Sequence, residues 1–484
     1  MKETYDFKQL CNISKEKYTS IDYLDKSHFK FEDNKALILN LGMGSGKTEQ
    51  TMNFIKQQLD LNSDNNIIWM APNIALSENT NKRMIDNDIK ITLYNTIKKA
   101  SDKSDIFNNA KNIIICLNSL HYIYSKKYKI VIIDEVETFL KNWVFNDTLH
   151  TVKNDCYNNF IRILQEADKI IFLDAFITNI TIDFLKDLNI SYKIIKKNIK
   201  PDSINYRVTE RTAIKYNSYN NILNDLIDKI KNNKKVLIFY PYKKASLYYP
   251  AMSDLLLNIE KITGKRGLCH NADSDDKIKQ KLRDTNKEWI NYDFIISNNV
   301  ITVGLNFDVK YFHQVYLFIG PFNRARDMVQ FSYRARTLLN NTVNYCYLNR
   351  RSNSDNLDIF DIDTPEYKKL RTNTFIENST KIRYSFTEFL IMANYILIDA
   401  DETKLNGILK NDFVKFDDDA IYKFSSVGTI SNNSQLREAE KEFYSINSTL
   451  KTKLLIKKYH YMKSFKQGTA PEVLGEIWDN NYIN

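Results

Sequence analysis

The chain has 484 residues, 43% hydrophobic and 26% charged: a globular composition, too long for one core, so two or three domains are expected. Lys and Arg outnumber Asp and Glu by 69 to 59, a formal charge of +10 that fits a polyanionic partner without identifying one, because Lys, Asn, Ile and Tyr are over-used throughout, as an AT-rich genome gives. Scattered Cys11, Cys116, Cys156, Cys269 and Cys346 without a CxxC pair, an N-terminus "MKETYDFKQLCN" without an apolar core, and a most apolar run "FLIMANYILI" (389–398) too short for a bilayer argue against a zinc site, a disulfide framework, secretion and membrane insertion.

In chain order, "KALILN" (35–40) is a short apolar run suited to a buried parallel strand, and "EQTMNFIKQQL" (49–59) places Met52, Ile55 and Leu59 at helical spacing. Between them, Gly42-Met43-Gly44-Ser45-Gly46-Lys47-Thr48 has the strand–loop–helix context of a Walker A phosphate loop. The chemistry asks for these residue types. Glycines let backbone N–H groups close on phosphates, the Lys47 ammonium reaches the β- and γ-oxygens, and the Thr48 hydroxyl suits Mg²⁺. The following helix adds the partial positive charge of its N-terminus. ATP and Mg²⁺ are therefore the expected cofactors. Leu41 stands where the general pattern has its first glycine.

Further strands follow at "IIWMAP" (67–72), "NIIICLNSL" (112–120), "YKIVIIDEVETF" (128–139) and "KIIFLDAFITN" (169–179). Each apolar run ends in small polar or acidic residues and alternates with a helical stretch, the doubly wound α/β signature. After Ile130, Val131, Ile132 and Ile133, Asp134 and Glu135 stand at the carboxyl edge, where open parallel sheets bind ligands. Asp134 is expected to hold Mg²⁺ through water and Glu135 to orient or deprotonate the attacking water. A Lys-rich linker, "YKIIKKNIKPDS" (192–203), leads to a second set of strands opening at "NKKVLIFYPYKKA" (233–245). Beyond a polar, turn-rich boundary (350–367), apolar-periodic stretches recur at 386–399 and 434–465, the latter with Leu436, Ala439, Phe443, Ile446, Leu450 and Leu454 on one helical face. "KKYHYMK" (457–463) reads as a solvated basic helix end in preference to a single-strand-binding surface. His121, His270 and His460 have no ligand-spaced partner, so no metal beyond that of the nucleotide is expected.

The "GSGKT" loop and "DExE" box resemble those of superfamily 2 helicases, motors of two RecA-like domains. That resemblance implies nucleic-acid contacts near Pro72, Asn73 and Ser77 (like motif Ia), at Asn118 and Ser119, and at Thr302. Asp174, Ala175 and Thr178 resemble motif III, and 233–245 resembles motif IV. "TNKEWINYDFIISNNVITVGLNFD" (285–308) resembles motif V, with Gly304 in a tight turn near the nucleotide; Asn298 stands where Thr is often found. "DMVQFSYRARTL" (327–338) resembles motif VI, giving Gln330, Arg334 and Arg336 as catalytic residues beside Lys47 and Glu135. Arginines there stabilise charge on the departing phosphoryl group; Tyr333 replaces a usual glycine, and Arg336 falls one position short of the usual second arginine.

A narrower likeness, carried by "MGSGKT", "NSLH", "LDAFIT" and "NKEW…YDFIISNNVITVGLNF" over residues 20–345, is to the herpesvirus-type replication-origin-binding helicases and their relatives in large DNA viruses. It implies an α/β fold of two tandem RecA-like doubly wound parallel-sheet domains, at 1–198 and 199–350, plus a mainly helical accessory domain at 351–484. The implied function is an ATP-dependent helicase or translocase working on single-stranded or forked DNA in viral or plasmid replication. An RNA helicase acting in transcription and an ATP-switched origin-binding scaffold are the alternatives. A replication protein bound through the C-terminal region is the implied partner, and the cytoplasm or the host compartment of genome replication the implied location.

Overall fold

Apolar runs buried on both faces become the central strands of two parallel sheets. The computed structural model describes residues 2–13, 18–96, 100–145, 149, 151–197, 211–245, 249–271, 278, 281–299, 307–320, 322–348, 362–401 and 434–435. The first sheet holds β1 (Tyr18–Ile21), β2 (Ala36–Asn40), β3 (Ile67–Ala71), β4 (Thr92–Leu93), β5 (Asn112–Cys116), β6 (Ile130–Asp134), β7 (Lys169–Asp174) and β8 (Tyr192–Lys197), in the order β1-β8-β2-β7-β6-β3-β5-β4. The second holds β9 (Thr212–Tyr216), β10 (Val236–Phe239), β11 (Gly267–His270), β12 (Phe294–Ser297), β13 (Gln314–Ile319), β14 (Thr342–Tyr347) and β15 (Ile396–Asp399), in the order β11-β12-β10-β13-β14-β9-β15. Both are RecA-like α/β lobes. All residues of β3, β6 and β10 are buried, which explains why they read as unbroken apolar runs.

Helices α1 (Lys2–Cys11), α2 (Lys47–Leu61), α3 (Ile74–Asp86), α4 (Ala100–Asn109), α5 (Val136–Phe145), α6 (Lys153–Glu166) and α7 (Asn179–Asp187) belong to the first lobe. In the second, α8 (Tyr219–Lys231) and α9 (Met252–Thr263) precede a helix over Ala325–Ser332. Polar side chains start several of these: Asn73 caps α3 by accepting from Leu76 N at 2.9 Å, and Ser218 caps α8 by accepting from Asn221 N at 3.1 Å.

Because the first sheet is parallel, β2, β3, β5, β6 and β7 present their carboxyl ends along one edge. The order places β7 between β2 and β6, with Asn40 opposite Asp174 and Asp134 opposite Leu173. Asp174 therefore stands between the glycine loop and the acidic pair.

The described part of the C-terminal region is woven into both lobes instead of standing apart. A helix over Pro365–Ser379 packs on α1, α5 and α7, and one over Ile382–Met392 packs on Ala325–Ser332. The apolar stretch expected at 386–399 is two elements: Asn394 takes a left-handed φ of 59° after the helix, and Ile396–Asp399 then pairs with β9 as β15. Among the described residues no helix is long and apolar enough to cross a membrane. The amphipathic face at 434–465 and "KKYHYMK" lie outside the described residues, Ser434 and Gln435 excepted.

Candidate functional site

The glycine loop turns directly from β2 into α2. Gly44 and Gly46 adopt left-handed φ values of 76° and 81°, which a residue with a Cβ would hold only under strain, and Gly46 is the residue preceding the helix. A Cβ built on Gly42, Gly44 or Gly46 meets no atom within 4 Å, so the loop surrounds open space. Lys47 bends over it and donates to Leu41 O and, at 3.1 Å, to Gly42 O. The Ser45 hydroxyl is buried and finds no protein partner. Glycines, an ammonium, a helix N-terminus and an unsatisfied hydroxyl around an open cradle fit a polyphosphate.

Asp134 ends β6, and Glu135 follows it with a left-handed φ of 50°, a strained backbone for a side chain of this size and one that turns it out of the strand. Asp134 Oδ1 accepts from Glu135 N at 3.1 Å. Burial pushes the Asp134 carboxyl up to about 6, against the opposing pull of Lys47 and Arg83. Burial, with Asp174 and Asp134 adding to it, pushes Glu135 up to about 8, against Lys47 and Arg334. Burial lowers the Lys47 ammonium, and Glu135, Asp174 and Asp134 oppose that.

The second lobe reaches the same carboxylate. Gln330 Nε2 donates to Glu135 Oε2 at 2.8 Å across the cleft. Arg334 is buried; burial lowers its guanidinium to about 10, Glu135 opposing. The structure thus gathers Lys47, Asp134, Glu135, Gln330 and Arg334 in one crevice between the lobes. Arg336 is more exposed, with Nε 3.2 Å from Asp308 Oδ1, and its charge acts on both Lys47 and Arg334. Thr48 is half-buried in the first turn of α2. Thr302 and Gly304 lie outside the described residues.

Four of the residues expected to meet nucleic acid sit beyond the carboxyl ends of β3 and β5. Pro72 O accepts from Asn142 Nδ2 at 3.3 Å, Asn73 is half-buried, and Asn118 is exposed. Ser119 turns inward. Ser77 requires correction as a contact residue: four residues after Asn73 on α3, it faces the core, and its fully buried hydroxyl donates to Asn73 O at 3.0 Å and lies 3.2 Å from Cys116 Sγ.

A buried ion cluster lies next to the crevice, sharing Asp174 with it. Arg326, fully buried, donates through Nη1 to Phe176 O at 2.6 Å and to Asp174 Oδ1 at 3.4 Å, and through Nη2 to Glu137 Oε2 at 3.2 Å and Glu377 Oε2 at 3.3 Å. Lys141 Nζ donates to Glu377 Oε1 at 2.6 Å. Glu137 also accepts from Thr178 N and Thr181 Oγ1, at 2.8 and 2.7 Å. Burial alone would raise the Glu377 carboxyl, but Arg326 and Lys141 outweigh it and hold it at about 2. The cluster ties the first lobe, the helix before Arg334 and the helix over Pro365–Ser379 to Asp174, whose other oxygen accepts from Glu137 N at 3.0 Å. Only Glu137, as the last letter of "DExE", and Asp174 carried a sequence signal.

The family model described as "Origin of replication binding protein" matches residues 19–229 and 276–361, more than half of the chain. The replication origin-binding protein of human herpesvirus 6A (strain Uganda-1102) is 24% identical over 326 residues, 64% of this chain and 38% of that protein. That of human herpesvirus 7 (strain JI) is 25% identical over 340 residues, 66% of this chain and 39% of that protein. The chain thus spans about two fifths of the length of these curated relatives. Among solved structures, Mss116p bound to single-stranded RNA and AMP-PNP superposes with a TM-score of 0.51 at 13% identity, covering 92% of this chain and 86% of that one, a likeness of fold alone.

Proposed function

The chain belongs to the origin of replication binding protein family, and on that premise we propose that it is an ATP-driven helicase or translocase acting on DNA during genome replication. The observation that carries this reading is the hydrogen bond from Gln330 of one lobe to Glu135 of the other, in the crevice that also holds Lys47, Asp134 and Arg334.

In this reading the glycine loop and Lys47 grip the β- and γ-phosphates. Thr48, and Asp134 through water, would hold Mg²⁺, which would supply charge neutralisation at the transferring phosphoryl group. Glu135 takes a proton from the attacking water, and Gln330 fixes the carboxylate that does so. Arg334 brings positive charge from the second lobe to the γ-oxygens, so hydrolysis requires closure and its products release it. Asp174 and Arg326 carry that change between the phosphate loop and the helix preceding Arg334. Nucleic acid lies along the carboxyl edges of both sheets, near Pro72, Asn73 and Asn118, held through its phosphates. A replication protein docks through the C-terminal region.

The test is ATP turnover by the full chain with matched single-stranded, duplex and forked DNA and RNA, beside Lys47→Ala and Glu135→Gln. The reading expects DNA-stimulated turnover that Lys47→Ala abolishes, with Glu135→Gln binding ATP yet turning over at least about 100-fold more slowly. Stimulation by RNA alone would move the substrate to transcripts. A Glu135→Gln chain that still supports its process would make ATP a switch on a scaffold. Turnover no higher than that of Lys47→Ala would end the reading.

A further inference from the structure

The turn that carries Arg334 is built around a different arginine. Arg211 is buried and immediately precedes β9, where the chain enters the second lobe after leaving β8 of the first. Its Nη1 donates to Ser332 O; its Nη2 donates to Ala335 O at 2.8 Å and to Arg336 O at 2.9 Å. The guanidinium lies 4.2 Å from the centroid of the Tyr333 ring. Ser332 is the last residue of its helix, so its carbonyl has no intrahelical donor, and a cation at that end also suits the helix dipole.

Other groups hold the same turn. Phe307 N donates to Arg334 O at 2.8 Å and Arg336 N to Phe307 O at 3.0 Å. Ser332 Oγ and Tyr395 Oη are 2.7 Å apart, and Ile396 N donates to Arg211 O at 2.9 Å. Tyr333, in the place of the usual glycine, thus provides a face for Arg211 instead of permitting a tighter backbone. Three carbonyls and one ring converge on one guanidinium, and Arg334 lies between them in sequence.

We propose that Arg211 is a positioning residue for Arg334, fixing the turn at the point where the chain arrives from the other lobe, so that the guanidinium reaches the crevice in register with that connection. The proposal rests on the ATPase reading for its kinetic consequence but not for its structural one. A displacement of about 1 Å in a group acting on a transition state costs on the order of 100-fold in rate. Substrate grip belongs to the glycine loop and Lys47, so the loss should fall on kcat and leave KM alone.

The experiment compares the full chain with Arg211→Met, Arg334→Ala and the double variant, measuring kcat and KM for ATP and amide hydrogen exchange at residues 333–336. Arg211→Met is expected to lower kcat about 10- to 100-fold with KM within about threefold of the parent, and to cost nothing further when Arg334 is already Ala. Exchange at the Arg334 and Arg336 amides should rise at least about tenfold. Parental kcat and exchange in Arg211→Met, or the same fold-loss repeated on the Arg334→Ala background, would overturn the proposal. If Arg211→Met fails to fold, Tyr333→Leu, which removes the stacking ring and keeps the three carbonyl bonds, carries the same test with the same signs. If the parent shows no turnover above Lys47→Ala, the ATPase reading has failed, and the exchange measurement alone decides the role of Arg211.

Discussion

Replacing Glu377 by Ala strands one buried cation and weakens the hold on a second. Lys141 loses its 2.6 Å partner and Arg326 keeps only Asp174, Glu137 and Phe176 O. With every group ionised the cluster holds two cations and three carboxylates; the variant evens the charges but leaves the Lys141 ammonium almost fully buried beside a cavity. Breaking a buried pair from one side costs about 3–5 kcal/mol. An independent route agrees: holding the carboxyl at about 2 instead of its ordinary 4.5 is worth on the order of 3 kcal/mol at neutral pH. Because this pKa is depressed, the contribution is present above 4.5 and is lost as pH falls toward 2. The assay is urea unfolding followed by tryptophan fluorescence, Trp143 being in the core next to this helix and accepting a 3.0 Å bond from Tyr367 Oη. Glu377→Ala should lose about 3–5 kcal/mol at pH 7, and Glu377→Leu with Lys141→Met should recover at least half of it by removing the stranded charge. A single variant within about 1 kcal/mol of the parent would refute the assignment of the cluster as the tie between the lobes.

Burial, with the Asp174 and Asp134 charges, holds Glu135 up at about 8, so kcat/KM for ATP, which reports the free enzyme, should climb as pH rises through that region; Arg334→Lys should leave the limb near its place and Arg334→Ala move it to higher pH, because the Arg334 charge lowers the Glu135 pKa. Gly46→Ala should lose about 1–2 kcal/mol of stability, since Ala must adopt the φ of 81° without meeting a clash, and should weaken nucleotide binding in a titration with a fluorescent ATP analogue. The affinity for single-stranded DNA should fall linearly with salt on logarithmic axes, and Ser77→Ala should leave both affinity and slope unchanged because that hydroxyl faces the core.

What the sequence made legible follows from burial pattern and loop chemistry. β3, β6 and β10 are covered on both faces, so their apolar runs are unmistakable, and the glycine loop and acidic pair lie at strand ends where the fold leaves no other place for them. The cluster below was illegible because Arg326 and Lys141 lie 51 and 236 residues from Glu377, and all three look like ordinary surface charges until three helices close over them. Ser77 occupies a motif position, but the helical period of α3 turns it inward. β15 was hidden inside an apolar stretch whose break depends on one asparagine, Asn394, adopting a left-handed φ. The substitution of Tyr333 for glycine marked a departure in the sequence, but only the guanidinium of Arg211 stacked on its ring gives a physical reason for it.

The central claim is that one lobe grips the triphosphate and the other triggers it. It is tested most directly by single-turnover hydrolysis and ATP binding in Arg334→Ala. Binding should stay within a few-fold of the parent while the hydrolysis rate falls by about 10³ or more, the scale of losing an arginine that stabilises a phosphoryl transition state. An unchanged hydrolysis rate at full occupancy would contradict it.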